Sequence, residues 1–382
     1  MTTRRSPAQA LHELGQSVWL DTISDGLIQS GELQSLVRAG SVYGVTSNPT
    51  IFMKAIGGNQ FSYPGEIVRL AGAGASPEEI YDHLSIRDIV RTADILAEAY
   101  RAGTGRDGFV SLEVPPALAH DTAATITEAK RLWARVARPN LFVKVPGTPE
   151  GIPAFETLIA EGVSVNVTLI FGRSQYARVA AAYRRGLERR VASGGALEGL
   201  HSVASLFVSR LDTSVDKQLE SMGASADATR RERILSLRGK AAVANSLDVW
   251  EEYRSQFFGP GFDSLGAKGA RPQWLLWAST GTKNPAYSDL KYVEELAGPD
   301  TINTMPHETL SALLDHGRIE GDRLTPSVEA ARETRRALGA EGISLEQHCA
   351  RLLDDGVRAF AQSFDDMMAV IRERSAALAP PR

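Results

Sequence analysis

Lys144 is a charged side chain inside an apolar run, in the stretch NLFVKVPGTPEG that covers residues 140–151. A run this apolar, ending at proline and glycine, is typical of a short, fully buried strand. A buried ammonium is unfavourable unless it is paired with an anion or gives up its proton. Lys144 is therefore a candidate for chemistry. The structural alternative is a salt bridge, or a lysine at a strand end whose stem lets the charge reach solvent.

Other apolar runs in the chain also contain or end in single polar side chains. Each has a structural explanation when it is taken alone: Asp21 could cap a helix that begins near Ser24. Glu113 could pair with a surface arginine, and Thr168 is an ordinary strand residue. Several ionisable groups in one interior are unfavourable unless they interact with each other, which favours a shared site. The candidates are Asp21, Asn48, Glu113, Lys144, Asn166, Thr168, Ser205, Arg210 and Lys283.

A lysine beside two carboxylates and a hydroxyl supports imine catalysis. Because an apolar site disfavours the ammonium, such a lysine can be neutral and nucleophilic near neutral pH. Its attack on a ketone, followed by loss of water, gives a Schiff base whose cationic nitrogen is an electron sink. Breaking the adjacent carbon–carbon bond then requires one acid/base for a sugar hydroxyl and another for the water. Arg210 and Lys283 follow the ends of two runs and suit a phosphate.

The elements that must position these residues are eight short apolar runs separated by segments with helical periodicity. One such segment, DTAATITEAKRLWARV, opens with the N-cap residue Asp121 and carries apolar residues at helical spacing. Strands that alternate with helices pair in parallel through crossovers. Eight of them predict an α/β protein with a (β/α)8 TIM barrel and additional helices, in which the chemistry sits at the carboxyl ends of the strands. The predicted strands are 18–23, 42–48, 109–114, 141–145, 164–171, 201–209, 274–280 and 301–306.

Two connections between the predicted strands are long. Residues 49–108 are predicted to hold two helices, and residues 212–273 two helical runs followed by the loop GPGFDSLGAKGARP. After the eighth strand, HETLSALLDHG and residues 344–378 are predicted to form closing helices. No low-complexity linker interrupts the chain, so we predict a single barrel domain over residues 1–382 with helical insertions near 49–108 and 212–273.

Composition excludes several classes of function. The net charge of −4 argues against a general nucleic-acid or anionic-membrane surface. The single cysteine, Cys349, cannot form an internal disulfide, so nothing indicates an oxidising compartment. The amino terminus lacks an apolar h-region, and no stretch approaches the length of a membrane span, so we expect a cytoplasmic protein. The histidines and the cysteine lack metal-ligand spacing, and the glycine patterns do not follow strands directly, so no metal, nucleotide or other cofactor is predicted.

Six sequence blocks, in this order and across nearly the whole chain, resemble one known family. The combination of TSNPTIF with VKVPGT is its most specific part. On these residues the chain resembles the transaldolases, the class I Schiff-base enzymes of the pentose phosphate pathway, in their extended form. The blocks are WLDTIS (19–24), GVTSNPTIF (44–52), SLEVPP (111–116), LFVKVPGTPEG (141–151), VNVTLIF (165–171) and SLFVSRLD (205–212).

The resemblance implies roles for the four candidates nearest the chemistry. Lys144 would form the Schiff base with the ketose donor, and Asp21 would be the general acid/base for the donor's hydroxyl during carbon–carbon cleavage. Glu113 and Thr168 would hold and activate the catalytic water. The implied reaction is transfer of a dihydroxyacetone unit from sedoheptulose 7-phosphate or fructose 6-phosphate to glyceraldehyde 3-phosphate or erythrose 4-phosphate, without metal or organic cofactor.

The resemblance also implies roles in substrate binding. Asn48 and Asn166 would hydrogen-bond the dihydroxyacetone moiety, with Ser205 nearby, and Arg210 would take the phosphate. The chain departs from the family pattern at the second phosphate ligand, because Lys283 follows the Ala-Ser pair two residues later than the family's arginine would.

Two rival functions stay open at this point. A free aldolase could use the same barrel and imine but release dihydroxyacetone instead of transferring it. A barrel without catalysis could simply bind sugar phosphate and keep its lysine protonated. The assembly, monomer or homodimer, is also open, because the last helix carries Phe360, Phe364 and Met367, which could cover the barrel mouth or form a dimer contact.

Overall fold

The structure is a computed structural model that describes residues 5–57, 63–103 and 105–377. Eight parallel strands pair in chain order and close into a barrel, with the last strand hydrogen-bonded to the first. The predicted TIM barrel of class α/β is confirmed, and every predicted strand overlaps an observed one. The strands are β1 Gln16–Leu20, β2 Gly44–Val45, β3 Phe109–Glu113, β4 Leu141–Pro146, β5 Val165–Ile170, β6 Ser202–Phe207, β7 Trp274–Ala278 and β8 Thr301–Met305.

An aromatic layer fills the barrel beneath the candidate residues. The rings of Phe109 and Phe142 stack with centroids 4.4 Å apart, and Trp19 lies 6.3 Å from each of them. Side chains two residues apart on a strand share a face, so Trp19 lies one layer below Asp21, and Phe142 one layer below Lys144. The aromatic layer therefore forms a rigid floor for the polar groups above it.

The helices differ from prediction in several places, including an additional helix at Ala228–Leu235. The first insertion holds three helices instead of two, the loop GPGFDSLGAKGARP contains α13, and α16 was not predicted. The helices are α1 Pro7–Leu14, α2 Asp25–Gln29, α3 Glu32–Arg38, α4 Pro49–Gly57, α5 Pro64–Gly72, α6 Pro77–Ala102, α7 Thr122–Val136, α8 Gly151–Ala160, α9 Arg173–Ala192, α10 Ser209–Ala224, α11 Ala228–Leu235, α12 Ala241–Phe257, α13 Pro260–Gly266, α14 Lys291–Glu295, α15 His307–His316, α16 Leu324–Ala340 and α17 Leu345–Ala377.

Local sequence explains these differences. The long helix α6 begins with a capping box, in which Ser76 and Glu79 cap each other's backbone N–H groups. The short helix α13 opens with Pro260 in its first turn, where proline is tolerated. In α16 the buried residues are only Leu324, Ala331 and Leu338. One buried residue per two turns gives a weaker amphipathic pattern than helices usually show, so the sequence did not predict this helix.

The last helix, α17, has 33 residues and contacts α4, α5, α6 and α10. Phe360 and Met367 are buried within this chain, Phe360 contacts Phe207 on β6, and Phe364 packs edge-on against Tyr81. The helix therefore covers the carboxyl end of the barrel with the side chains whose role the sequence left open. Over the ranges given above, no helix has the length and apolarity needed to cross a membrane.

Candidate active site

A cavity of about 520 Å³ opens at the carboxyl ends of the strands. Three of the nine candidates, Glu113, Asn166 and Thr168, do not line this cavity but are buried in the strands beside it. The predicted set is thus brought together in one region, in two groups. The candidates that line the cavity are Asp21, Asn48, Lys144, Ser205, Arg210 and Lys283.

Lys144 lies on β4, and its side chain is almost completely buried. Its Nζ donates a hydrogen bond to the backbone oxygen of Ser47 at 3.0 Å and lies 3.4 Å from Oε2 of Glu113. The strand register places Glu113 directly beside Lys144 on β3. The alternative considered for Glu113, pairing with a surface arginine, is therefore wrong. The predicted apolar setting holds for the stem of Lys144 but not for its amine.

Glu113 is a buried carboxyl with spare hydrogen-bonding capacity. Burial raises its pKa to about 7, and the charge of Lys144 only partly offsets that rise. Within the described residues, Oε2 of Glu113 has only the ion-pair contact with Lys144 at 3.4 Å, and Oγ1 of Thr168 has no hydrogen-bond partner. Buried polar atoms are normally paired. These two atoms, on the strands either side of β4, are therefore suited to hold a small polar molecule beside Lys144.

Asp21 follows β1 and lines the cavity. Its Oδ1 accepts a hydrogen bond of 2.5 Å from Oγ1 of Thr46, and that hydroxyl also lies 2.7 Å from Oγ1 of Thr304. Burial raises the pKa of Asp21, although the charge of Lys144 and the bond from Thr46 oppose the rise. The capping role considered for Asp21 is wrong, because Ser24 caps α2. Asp21 is thus an oriented carboxyl that holds its proton more readily than usual.

Asn166 connects three strands through its side-chain amide. Its Oδ1 accepts from Oγ of Ser205 at 2.7 Å, and its Nδ2 donates to Oγ of Ser111 at 3.1 Å. Asn48 has a different arrangement, because its Oδ1 accepts from the backbone N–H of Ile51 in the first turn of α4. The Nδ2 of Asn48 has no acceptor in the part of the chain that the structure describes, so it can donate to a substrate.

Arg210 lies in the first turn of α10, after the end of β6, and lines the cavity. Its guanidinium carbon is 5.1 Å from the ring centroid of Phe207 and 5.9 Å from that of Phe360. No carboxylate within the described ranges forms an ion pair or hydrogen bond with it. Burial lowers the pKa of Arg210, yet an arginine remains charged at neutral pH. Its N–H donors are therefore available to an anion.

Lys283 lies in the loop after β7 and lines the same cavity. This loop is tied to α10, because the hydroxyl of Tyr287 donates to Oδ2 of Asp216 at 2.6 Å. Asp216 also accepts from the backbone N–H of Gly239, which lies just before α12. Although Lys283 falls two residues beyond the position typical of the family, the tether leaves its side chain at the cavity.

Sequence reasoning missed several residues of the site. Thr46 orients Asp21, and its place in the run TSNP could have been a signal. Lys54 on α4 also lines the cavity, far from the strand ends on which the prediction relied. Phe360 on α17, for which the sequence left open the barrel mouth or a dimer contact, lines the cavity as well. Among the residues that the structure describes, no three histidine, cysteine, aspartate or glutamate side chains form a group that could hold a metal ion.

The chain was compared with protein families and curated proteins. Residues 18–371 match the family model described as transaldolase/fructose-6-phosphate aldolase. A transaldolase of Thiobacillus denitrificans is 48% identical over 94% of this chain and 97% of its own length. Transaldolases of Saccharopolyspora erythraea and Thermobifida fusca are 45% and 44% identical, each over 97% of this chain and at least 98% of their own length. The chain therefore belongs to the transaldolase/fructose-6-phosphate aldolase family, which confirms at family level the predicted class of enzyme, a transferase of the transaldolase type.

Proposed function

We propose that this chain transfers a dihydroxyacetone unit between sugar phosphates through a Schiff base on Lys144. The observation that carries the proposal is the buried pair of Lys144 and Glu113, whose nitrogen and oxygen lie 3.4 Å apart. Asp21 and the unpaired Arg210 line the same cavity as Lys144. A nucleophile, two carboxyls and an anion receptor in one site fit a phosphorylated ketose, and fit a simple binding pocket poorly.

Imine formation requires Lys144 to lose a proton, and Glu113 is the nearest base. A carboxyl with a pKa of about 7 accepts a proton readily near neutral pH. The neutral amine then attacks C2 of fructose 6-phosphate or sedoheptulose 7-phosphate, and a proton moves from its nitrogen to the former carbonyl oxygen to give a carbinolamine. Glu113 returns the proton to the departing hydroxyl, which leaves as water. Thr168, with its unpartnered hydroxyl, would hold that water beside Glu113.

Carbon–carbon cleavage requires a base for the hydroxyl on C4 of the donor, and we assign this role to Asp21. Asp21 takes the hydroxyl proton, the C3–C4 bond breaks, and its electron pair moves into the iminium to give an enamine. The shortened aldose leaves. When an acceptor aldose enters, the enamine attacks its aldehyde and Asp21 returns the proton to the new hydroxyl. The raised pKa of Asp21 suits a group that must alternate between both protonation states.

The remaining candidates would bind the ends of the sugar. The amide of Asn48 and the hydrogen-bonded pair of Asn166 and Ser205 suit the hydroxyls of the dihydroxyacetone unit. Arg210 and Lys283 suit the phosphate, because both are cations that line the cavity.

Borohydride reduction in the presence of fructose 6-phosphate, followed by peptide mass mapping, tests the proposal. We expect a stable adduct on the peptide that contains Lys144 and none in Lys144→Met. Lys54→Met is the matched control, because Lys54 also lines the cavity but has no assigned chemical role. If the folded protein binds the sugar but forms no adduct on Lys144, this lysine has a structural role. That result would favour a barrel that binds sugar phosphate without catalysis.

A free aldolase is the second candidate, because the matching family includes fructose-6-phosphate aldolases by its description. The two activities differ in the fate of the enamine. Incubation with fructose 6-phosphate and no acceptor should give about one equivalent of released glyceraldehyde 3-phosphate per site for a transferase. Sustained release over many turnovers would instead assign the chain to the aldolases.

We also propose a cytoplasmic location and one barrel domain. The location is supported by the single cysteine, Cys349, which is buried and unpaired, because such a chain needs no oxidising compartment. The domain is supported by the long insertions, whose helices pack on the barrel and on α17. A single cooperative unfolding transition and co-fractionation with cytoplasmic markers are the expected results.

A further inference from the structure

The carboxyl-terminal helix forms part of the wall around Arg210. Phe360 on α17 lines the cavity and is 3% exposed. Its ring is the second of two that flank the guanidinium, and the other, Phe207, belongs to β6. The two rings themselves lie 6.4 Å apart at an interplanar angle of 63°. Arg210 thus touches two elements that are about 150 residues apart in sequence.

This contact matters because no polar group within the described residues holds the charged end of Arg210. An arginine side chain has many rotamers, and fixing it is entropically unfavourable. Neither an acid nor a carbonyl oxygen within the described residues holds this guanidinium. Aromatic rings attract a guanidinium through their faces and leave its N–H edges open. The rings can therefore hold the group in place without consuming the donors that an anion would use.

The close approach of α17 is visible at Gly356, one turn before Phe360. A Cβ atom added there would lie 2.9 Å from Cδ2 of Leu169 and 3.7 Å from Nη1 of Arg210. Glycine is a poor helix former, and here it lies inside a helix of 33 residues. Its small size lets the helix backbone approach β5 and Arg210 closely, which brings Phe360 within reach of the guanidinium.

We propose that Phe360 is a positioning residue that holds Arg210 ready for a phosphate monoester. The proposal rests on the proposed function, since it assigns the anion to the phosphate of the sugar substrate. It makes α17 part of the phosphate site: the helix supplies a ring and no polar contact. Removing the ring should weaken binding of the phosphate and leave the chemistry at Lys144 unchanged.

Three variants of the full chain test this. Phe360→Leu removes the ring, Phe360→Tyr keeps it, and Phe364→Leu makes the same change one turn further along α17, where the ring contacts Tyr81. Calorimetry with inorganic phosphate gives a dissociation constant for the anion alone. Steady-state assays give kcat and KM for fructose 6-phosphate. Borohydride trapping with dihydroxyacetone, which carries no phosphate, reports imine formation separately.

We expect Phe360→Leu to raise both the phosphate dissociation constant and the KM for fructose 6-phosphate about tenfold, with kcat within about twofold and trapping unchanged. Phe360→Tyr and Phe364→Leu should stay close to the parent. The proposal is overturned if Phe360→Leu binds phosphate like the parent, if Phe364→Leu weakens it equally, or if Phe360→Tyr fails to restore it. Failure of the parent to form any imine would overturn the proposed function instead, and the calorimetry would still decide the role of Phe360.

Discussion

Two groups of residues in the site, which we call the imine end around Lys144 and the phosphate end around Arg210, are built in different ways. At the imine end, Lys144 and Glu113 stand on adjacent strands, in register and almost fully buried. At the phosphate end, Arg210 lies on a helix and Lys283 in a loop, both beyond the strands. The barrel's hydrogen bonds therefore fix the reacting groups, whereas the groups proposed to bind the anion depend on how later elements pack against the barrel.

The charges differ in the same way. At the imine end the charge of Lys144 is balanced by a carboxyl 3.4 Å away, and burial raises the pKa values of both Glu113 and Asp21. At the phosphate end, neither Arg210 nor Lys283 has an anionic partner within the described residues. The comparison teaches that a cation and carboxyls lie close together at one end, whereas the cations at the other end have no balancing charge among the described residues.

Asp21→Asn should have the largest effect of the following changes, because it removes a proton acceptor at the imine end. We expect kcat to fall by about a thousandfold, while the imine on Lys144 still forms. Rapid mixing with fructose 6-phosphate and borohydride should trap an adduct that accumulates. If the variant yields no adduct, Asp21 acts before cleavage and the assignment of roles at this end must change.

Arg210→Leu tests the phosphate end. Loss of a charge-assisted contact should lower kcat/KM for fructose 6-phosphate by about a hundredfold. Imine formation with unphosphorylated dihydroxyacetone should be retained, because the strands that hold Lys144 are not altered. Equal losses with both compounds would mean that the two ends are not independent, and the comparison would fail.

Glu113→Gln should change the pH dependence of activity. If Glu113 acts as a base, kcat/KM of the parent should rise as the pH increases through about 7, where its carboxyl ionises. The glutamine variant should lack this limb and be slower by about a hundredfold. A pH–rate profile of both proteins between pH 5 and 9 provides the measurement, with fructose 6-phosphate as donor.

We also expect the folding stability of Glu113→Gln to depend on pH differently from that of the parent, which tests the raised pKa of Glu113. The folded chain keeps the Glu113 proton up to a pH of about its pKa of 7, whereas the unfolded chain loses it near the ordinary value of 4.5. The folded state thus binds more protons between these values, and its stability falls as the pH rises, on the order of 1 kcal/mol per pH unit. Chemical denaturation should show the stability advantage of Glu113→Gln growing over this window and levelling off above it; a constant difference would contradict the raised pKa.

Tyr287→Phe should have the smallest effect. It removes the hydrogen bond to Asp216 that ties the loop of Lys283 to α10. We expect the KM for fructose 6-phosphate to rise about threefold with kcat unchanged, since the loop loses one restraint of several. Tyr292→Phe, which removes a neighbouring bond from α14 to Asp212, is the control outside the loop. A fall in kcat without a change in KM would show that the tether acts on the imine end instead.

Sequence reasoning was most successful where strand register fixes the answer. Lys144, Glu113 and Asp21 stand in short apolar runs, and the parallel barrel brings the ends of such runs together. Thr46 and Ser47 lie in the run TSNP that the sequence singled out. Their contacts to Asp21 and Lys144 depend on three-dimensional geometry that residue spacing does not reveal.

The phosphate end was harder to predict because distant segments meet there. Phe360 reaches Arg210 only because α17 crosses the mouth of the barrel, and nothing in its local sequence specifies that path. The tether at Tyr287 similarly joins two segments separated by 71 residues. Helices were missed where few apolar residues mark the buried face, as in α16.

The aromatic floor of Trp19, Phe109 and Phe142 has a consequence for the order of events. These rings stack beneath Lys144. Under the proposed function, the donor and the acceptor sugar would therefore use the same mouth, and both would place a phosphate near Arg210. The acceptor can then bind only after the first aldose has departed. Such an enzyme should follow ping-pong kinetics, with parallel lines in double-reciprocal plots and inhibition when the acceptor occupies the free enzyme too early.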